Sequence, residues 1–215
     1  AGWIAGTVND TISQPLAGID LDIYEATTGQ RLTIGGLTQA DGTYQIGPLA
    51  PGQYKLRCDP TIAQGYAVEY YDGKLNLALA DPITVSGGVG ATGKNFTLET
   101  GGSIAGQVVK AGTSQLLAGI DIDVFIVQGS SYIRLNQSAK TDANGNYLVG
   151  PLPVGTYLVR ADDPLGQGLM ATYYGNTVIQ TQATYLALAA GQQHTGINIQ
   201  MAVINGTGGA WRLYE

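Results

Sequence analysis

One cysteine, one histidine and two phenylalanines are all that 215 residues supply of those types, and charged residues make up only 12% of the chain. A single cysteine, Cys58, rules out an intrachain disulfide, so cysteine usage does not report the redox compartment. A single histidine, His194, leaves His-rich zinc sites and Ser-His triads without their components; in AGQQHTG (190–196) it reads as an exposed loop residue. Ten Lys and Arg against sixteen Asp and Glu give a formal charge of −6. No basic stripe is left to neutralise phosphates, which excludes nucleic acid and an anionic membrane surface as partners. No apolar run approaches the roughly 18 residues of a membrane span. The opening AGWIAGTV reads as a strand without a charged leader region, so the chain is expected to be mature.

What is abundant points one way. Thirty-two glycines, with frequent Thr, Val, Ile and Tyr, favour short strands joined by tight turns, and 44% hydrophobic residues suffice for a core in each of two domains. The order within the chain is a repeat. SQPLAGIDLDIY (13–24) returns as SQLLAGIDIDVF (114–125), identical at eight of twelve positions. DGTYQIGPLAPGQYKLR (41–57) returns as NGNYLVGPLPVGTYLVR (144–160), EYYDG (69–73) as TYYGN (172–176) and GKNFTL (93–98) as GINIQM (196–201), all displaced by 103. GWIAGTV (2–8) returns as GSIAGQV (102–108). The expected domains are residues 1–100 and 101–206, followed by a strand in 207–215.

Alternation defines the faces. Ile19, Leu21 and Ile23 face a core, while Asp20, Asp22 and Tyr24 face out. In YKLRC (54–58), Tyr54, Leu56 and Cys58 share the inner face, so Cys58 reads as a small core residue. Gly42 and Gly145 stand where hairpin turns need a positive φ, beside the turn formers Asp41 and Asn144. Tyr44, Tyr54, Tyr147 and Tyr157 flank the Gly-Pro-Leu bend as core or core-edge aromatics. LNLALA (75–80) and TYLALAAG (184–191) read as counterparts of each other, each strand or loop. Breaks of Gly, Pro, Asp and Asn between short apolar runs predict an antiparallel sandwich with little helix.

Chemistry is hard to assemble from these residues, and no enzyme activity, metal or cofactor is expected. Asp20/Asp22 and Asp121/Asp123 read as solvated polar-face pairs, because calcium asks for six or more oxygens from several segments. DANGN (142–146) imitates the start of a calcium loop, but Tyr147 and Pro153 occupy the positions of its glycine and its bidentate glutamate, so it reads as a turn.

The string G-x-I-x-G, then P-L-A-G-I, [TD]-x-x-G-x-Y-x-x-G-P-L-x-x-G-x-Y, a Tyr-Tyr pair and a closing G-x-x-[FI]-x-[LM] occurs twice. It resembles the carboxypeptidase regulatory-like domain, whose fold is transthyretin-like (prealbumin-like) and related to the Cna-B-like modules of bacterial surface proteins. The resemblance implies an all-β chain of two tandem Ig-like, transthyretin-like antiparallel β-sandwiches, and it implies nothing about function. Some Cna-B-like modules carry a Lys-Asn isopeptide bond. Here the first strand, 2–8, holds no lysine, and Lys110 and Asn198 in the second repeat lack an identifiable acidic partner, so no such bond is expected.

The tail TGGAWRL (207–213) aligns with TGGSIAG (100–106), the joint into the second repeat, so the chain begins another opening strand. Trp211 and Leu213 alternate with Arg212 and Tyr214, and a lone strand cannot satisfy its own backbone groups. Addition to the sheet of an identical subunit would satisfy them; docking in its own chain and a place in a longer array are the other readings. Non-closing contacts of that kind build an open linear or helical polymer. The expected function is therefore an extracellular or cell-surface structural protein, the subunit of a surface filament assembled head to tail by β-strand donation. An adhesive or carbohydrate-binding module presenting Tyr70, Tyr71, Tyr173 and Tyr174, and an accessory domain of a secreted enzyme, are the alternatives. Asn9, Asn95, Asn136 and Asn205 stand in N-x-[ST] sequons and are candidate glycan sites.

Overall fold

The computed structural model describes residues 1–204; Trp211, Arg212, Leu213, Tyr214 and Asn205 lie outside the described residues. The first half contains β1 (Gly2–Asp10), β2 (Asp20–Glu25), β3 (Arg31–Leu37), β4 (Thr43–Leu49), β5 (Gly52–Asp59), β6 (Glu69–Tyr70), β7 (Ile83–Val85), β8 (Gly90–Ala91) and β9 (Phe96–Leu98). The second repeats them as β10 (Gly102–Lys110), β11 (Asp121–Gln128), β12 (Ser131–Lys140), β13 (Asn146–Leu152), β14 (Gly155–Asp162), β15 (Thr172–Tyr173), β16 (Leu186–Leu188), β17 (Gln193–His194) and β18 (Ile199–Met201). Among the described residues helix is confined to two 3-10 turns, Ile62–Gln64 and Gln180–Gln182. The first half is thus all-β, and so is the second through residue 204.

Each half is two sheets. In one, β4 pairs with β1, and β8 and β9 take successive stretches of the other edge of β1; β13, β10, β17 and β18 repeat this. In the other, β3, β2 and β5 run side by side, with β6 and β7 on the far edge of β5; β12, β11, β14, β15 and β16 repeat it. The expected antiparallel arrangement holds for all but one edge. β1 runs parallel to β8 and β9, with Val8 opposite Phe96 and Asp10 opposite Leu98. The reason is the path: β7 runs antiparallel to β5, and the turn at Ser86–Val89 reverses the chain so that it passes forward along β1.

Between the sheets sit the inward-alternating residues. Ile4, Val8, Leu21, Ile23, Ile46, Leu56, Cys58, Phe96 and Leu98 fill the first core, and Ile104, Val108, Ile122, Val124, Val149, Val159, Ile199 and Met201 the second. Each such side chain contributes about 1.5–3 kcal/mol by leaving water. LNLALA and TYLALAAG are not counterparts. Ile83–Val85 and Leu186–Leu188 are the matching strands, whereas LNLALA is loop and corresponds to Val178–Ala183.

The repeated motif has a mechanical explanation. A Cβ added at Gly6 would overlap the Lys94 carbonyl, and one at Gly106 the Ile197 carbonyl, because the strand passes close to the chain as it enters the last strand. The Tyr44 hydroxyl donates to the Lys94 carbonyl, and the Tyr147 hydroxyl to the Ile197 carbonyl at 2.6 Å, pinning that close approach. Tyr54 and Tyr157 donate to the carbonyls of Ala50 (2.9 Å) and Pro153 (2.6 Å), closing the loop after Gly-Pro-Leu. Gly42 and Gly145 have φ of 76° and 71°. A buried threonine adds a second pin: Thr38 Oγ1 donates to Leu16 O (2.5 Å) and accepts from Ile19 N (2.9 Å), and Thr141 does the same for Leu117 O (2.6 Å) and Ile120 N (2.9 Å).

Candidate functional site

Surfaces where modules meet are the candidate site of this chain, and the joint between the halves shows how one is built. Ala67 N donates to Glu99 O (2.8 Å), Tyr66 bridges Thr100, and Gly101 N donates to Gly65 O (2.9 Å), which fixes the outgoing chain against the first half. Leu75 packs on the second core. Asn76 Nδ2 donates to Arg134 O (3.2 Å), Leu77 N to Asn136 Oδ1 (3.3 Å) and Val154 N to Glu99 Oε1 (2.8 Å). Gly101 is required here, since a Cβ would collide with Pro151 and with the backbone at Tyr66 and Ala67.

The second half releases its chain in the same way. Met170 N donates to Ala202 O (2.8 Å), Leu169 bridges Val203, and Ile204 N donates to Gly168 O (2.7 Å). Every partner in this set is displaced by 103 from its counterpart at the joint. The backbone at Ile204 is thus held where the backbone of Gly101 is held as it turns into β10.

The outward acidic pairs are not uniformly solvated. Asp22 and Asp123 are buried. Asp22 takes the Arg31 guanidinium, with Nε at 2.7 Å, and Arg57 Nη1 at 3.4 Å; Asp123 takes Arg134 Nη2 and, at 3.4 Å, Arg160 Nη2. Arginines on both neighbouring strands lay their stems over the aspartate and cover it. Asp59 and Asp162 hold the far sides of Arg57 (2.9 Å) and Arg160 (2.6 Å). Aromatics close the cluster: Tyr24 and Tyr70 rings lie 6.2 Å apart, and Arg160 lies over Phe125 at 5.4 Å and Tyr173 at 6.0 Å. The hydrogen bond to Asp22 raises the Arg31 pKa, the bond to Asp123 raises that of Arg134, and burial raises the Asp59 carboxyl.

The four tyrosines belong to packing. Tyr70 and Tyr173 are buried in these clusters. Tyr71 meets Phe96 edge-on at 6.0 Å beneath Lys94, and Tyr174 packs against the second core. Of the sequons, Asn9 is half-buried on β1, Asn95 Oδ1 accepts from Thr7 N (3.0 Å), and Asn136 Oδ1 faces Leu77 at the joint. Lys110 pairs with Met201, while Asn198 Oδ1 accepts from Gln107 N (2.9 Å). Asp142 Oδ1 accepts from the backbone of Asn144 (2.8 Å) and Asn146 (2.9 Å), the geometry of a turn. His194 is not in a loop; it lies half-buried on β17 with Nε2 2.8 Å from Ala187 O. Among the described residues no group of three or more His, Cys, Asp and Glu could hold a metal ion, and no helix is long and apolar enough to cross a membrane.

No family model and no curated protein matches the chain. Among solved structures it is similar to the shaft pilin SpaA from Lactobacillus rhamnosus GG, at 12% identity over 98% of each chain with a TM-score of 0.37. It is similar to GBS52, the minor pilin of Streptococcus agalactiae, at 13% identity over 99% of this chain and 100% of that one, with a TM-score of 0.33. The Bacillus anthracis TIE protein matches 94% of this chain at 17% identity and a TM-score of 0.35, and the match spans 34% of its own length. TM-scores this low carry no argument about function.

Proposed function

We propose that this chain is an extracellular structural protein, a subunit of a surface filament whose modules, residues 1–100 and 101–206, continue from subunit to subunit by strand donation from residues 207–215. The reading rests on one observation: the chain leaves the second half at Ala202–Ile204 through the same three backbone links that carry it out of the first half and into β10. TGGAWRL (207–213) matches TGGSIAG of that joint in sequence but begins four residues beyond Val203, the counterpart of Thr100 by these links. In a neighbouring subunit the place of β10 is already taken by β1, which has β4 on one edge and β8 and β9 on the other, so the donated strand adds at the edge of a sheet. Trp211 and Leu213 lie on one face of it and Arg212 and Tyr214 on the other. The partners are identical subunits, with glycans at exposed sequons such as Asn95 as an addition.

The test is removal of residues 207–215, with electron microscopy and sedimentation of the purified chain. Loss of fibres with an unchanged monomer fold supports donation. The same fibres from the shortened chain refute it.

A further inference from the structure

The internal joint marks its own footprint as a difference in burial between equivalent residues. On the second half the joint covers Leu135 and Gln137 of β12 and Pro151 and Pro153 after the Gly-Pro bend, all buried. Their counterparts on the first half are Leu32 and Ile34, half-buried, and Pro48 and Ala50, exposed. The first half therefore presents an uncovered copy of the surface that the second half uses to receive a module.

The far end of the second half is the matching donor. Ala67, Leu75, Asn76, Thr100 and Gly101 line the first half's side of the joint, and their counterparts are Met170, Val178, Ile179, Val203 and Ile204. All five are exposed, Val178 at 48%, Ile179 at 45% and Ile204 at 49%. This face is more apolar than the one it repeats, because isoleucine replaces Asn76 and Gly101 and methionine replaces Ala67. Five apolar side chains gathered at one end of a module are more than scattered surface residues.

We propose that this apolar end docks on the front face of a second copy of the chain, around Leu32, Pro48, Ala50 and Pro51, and so reproduces the internal joint between subunits. The proposal deepens the filament reading and rests on it. The occupant is a second copy because the chain itself already joins these two surfaces once, through the same elements. The two surfaces are different patches on opposite halves of the chain, so the contact is heterologous, and a repeat of one fixed joint extends into an open row. Strand donation then adds to the joint and does not replace it.

Two exposed-surface variants test this in the full chain: Val178→Lys with Ile179→Lys on the donor end, and Ala50→Glu with Pro51→Glu on the receiving face. Each alone is expected to keep the wild-type far-ultraviolet spectrum and to lower polymer mass by about tenfold or more, since each joint would bury unpaired charge. Mixed, they offer a wild-type joint in one direction and an opposite-charge joint in the other, so an alternating row and recovery of polymer mass are expected. Variants that fold and polymerise like the wild type overturn the docking proposal and leave strand donation standing, because removal of 207–215 addresses the latter separately. Protection of Val178 and Ile179 by the chain's own tail, seen as a rise in their hydrogen exchange when 207–215 is removed from a monomer, also overturns it. A wild-type chain that remains monomeric at every concentration sinks the filament reading itself.

Discussion

Glu69 offers the sharpest check on the energetics near the joint. It lies on β6 opposite Cys58, and burial pushes its carboxyl up to about 7 from 4.5, with a backbone bond from Gly73 opposing and the negative charges of Glu99 and Asp72 adding to the rise. Between those two values the folded chain holds a proton that the unfolded chain has released. Stability from this group is therefore intact below pH 4.5 and is lost as pH rises through about 7. At ~1.36 kcal/mol for each pH unit of difference, the loss is at most ~3 kcal/mol. Glu69→Gln keeps the shape and removes the ionisation. Urea unfolding of both chains from pH 4.5 to 8.5 should give near-equal stability for the first half at the acid end and a variant more stable by ~2–3 kcal/mol at the alkaline end. The difference between the chains matters, because burial of Asp59 acts with the same sign, and Asp41 and Glu25, whose pKa values are lowered by bonds to Thr43 and Thr28, act with the opposite sign in a more acid window. Parallel profiles for the two chains would refute the reasoning.

Thr141→Val leaves Ile120 N and Leu117 O without their shared partner inside the protein and should cost about 2–4 kcal/mol in denaturant unfolding, with Thr38→Val matching it in the first half. Asp123→Ala removes the carboxylate shared by Arg134, whose side chain is 55% exposed, and Arg160, which keeps Asp162 at 2.6 Å, and should cost about 1.5–3 kcal/mol, above the ~1 kcal/mol loss expected for the exposed pair of Lys140 and Asp121 on removing Lys140. Cys58 is fully buried, and burial raises its thiol pKa, so native protein should resist iodoacetamide at pH 8 while urea-unfolded protein is alkylated at once; mass spectrometry separates the two.

The tandem repeat and the inner faces were legible because both are local patterns. Leu21 and Ile23, and Leu56 with Cys58, follow a period of two, and Gly42 and Gly145 sit where only a positive φ closes the turn. Direction along β1 was not legible, since nothing in VND or FTL tells a parallel neighbour from an antiparallel one. The outer-face clusters were missed because alternation reports which side a residue faces and not what lies over it. The signal existed in pairs: an arginine follows each inner-face run, as Arg57 and Arg160, at the register of Asp22 and Asp123. The strand at His194 was hidden for a related reason, as a polar neighbourhood conceals a two-residue strand whose only purpose is to flank β10. The place of the joint was legible in TGGSIAG, but its contacts were not, because they pair residues far apart in the chain, such as Leu77 with Asn136.

The parallel edge has a consequence for a chain under tension. Force applied at the two ends of a half enters at the start of β1 and leaves at the end of β9, and these strands lie side by side and point the same way. A pull therefore slides one along the other and strains the links at Val8, Asn9 and Asp10 together, whereas strands loaded like a zipper separate bond by bond. β10 and β18 repeat the arrangement, so each half resists stretching as a shear clamp.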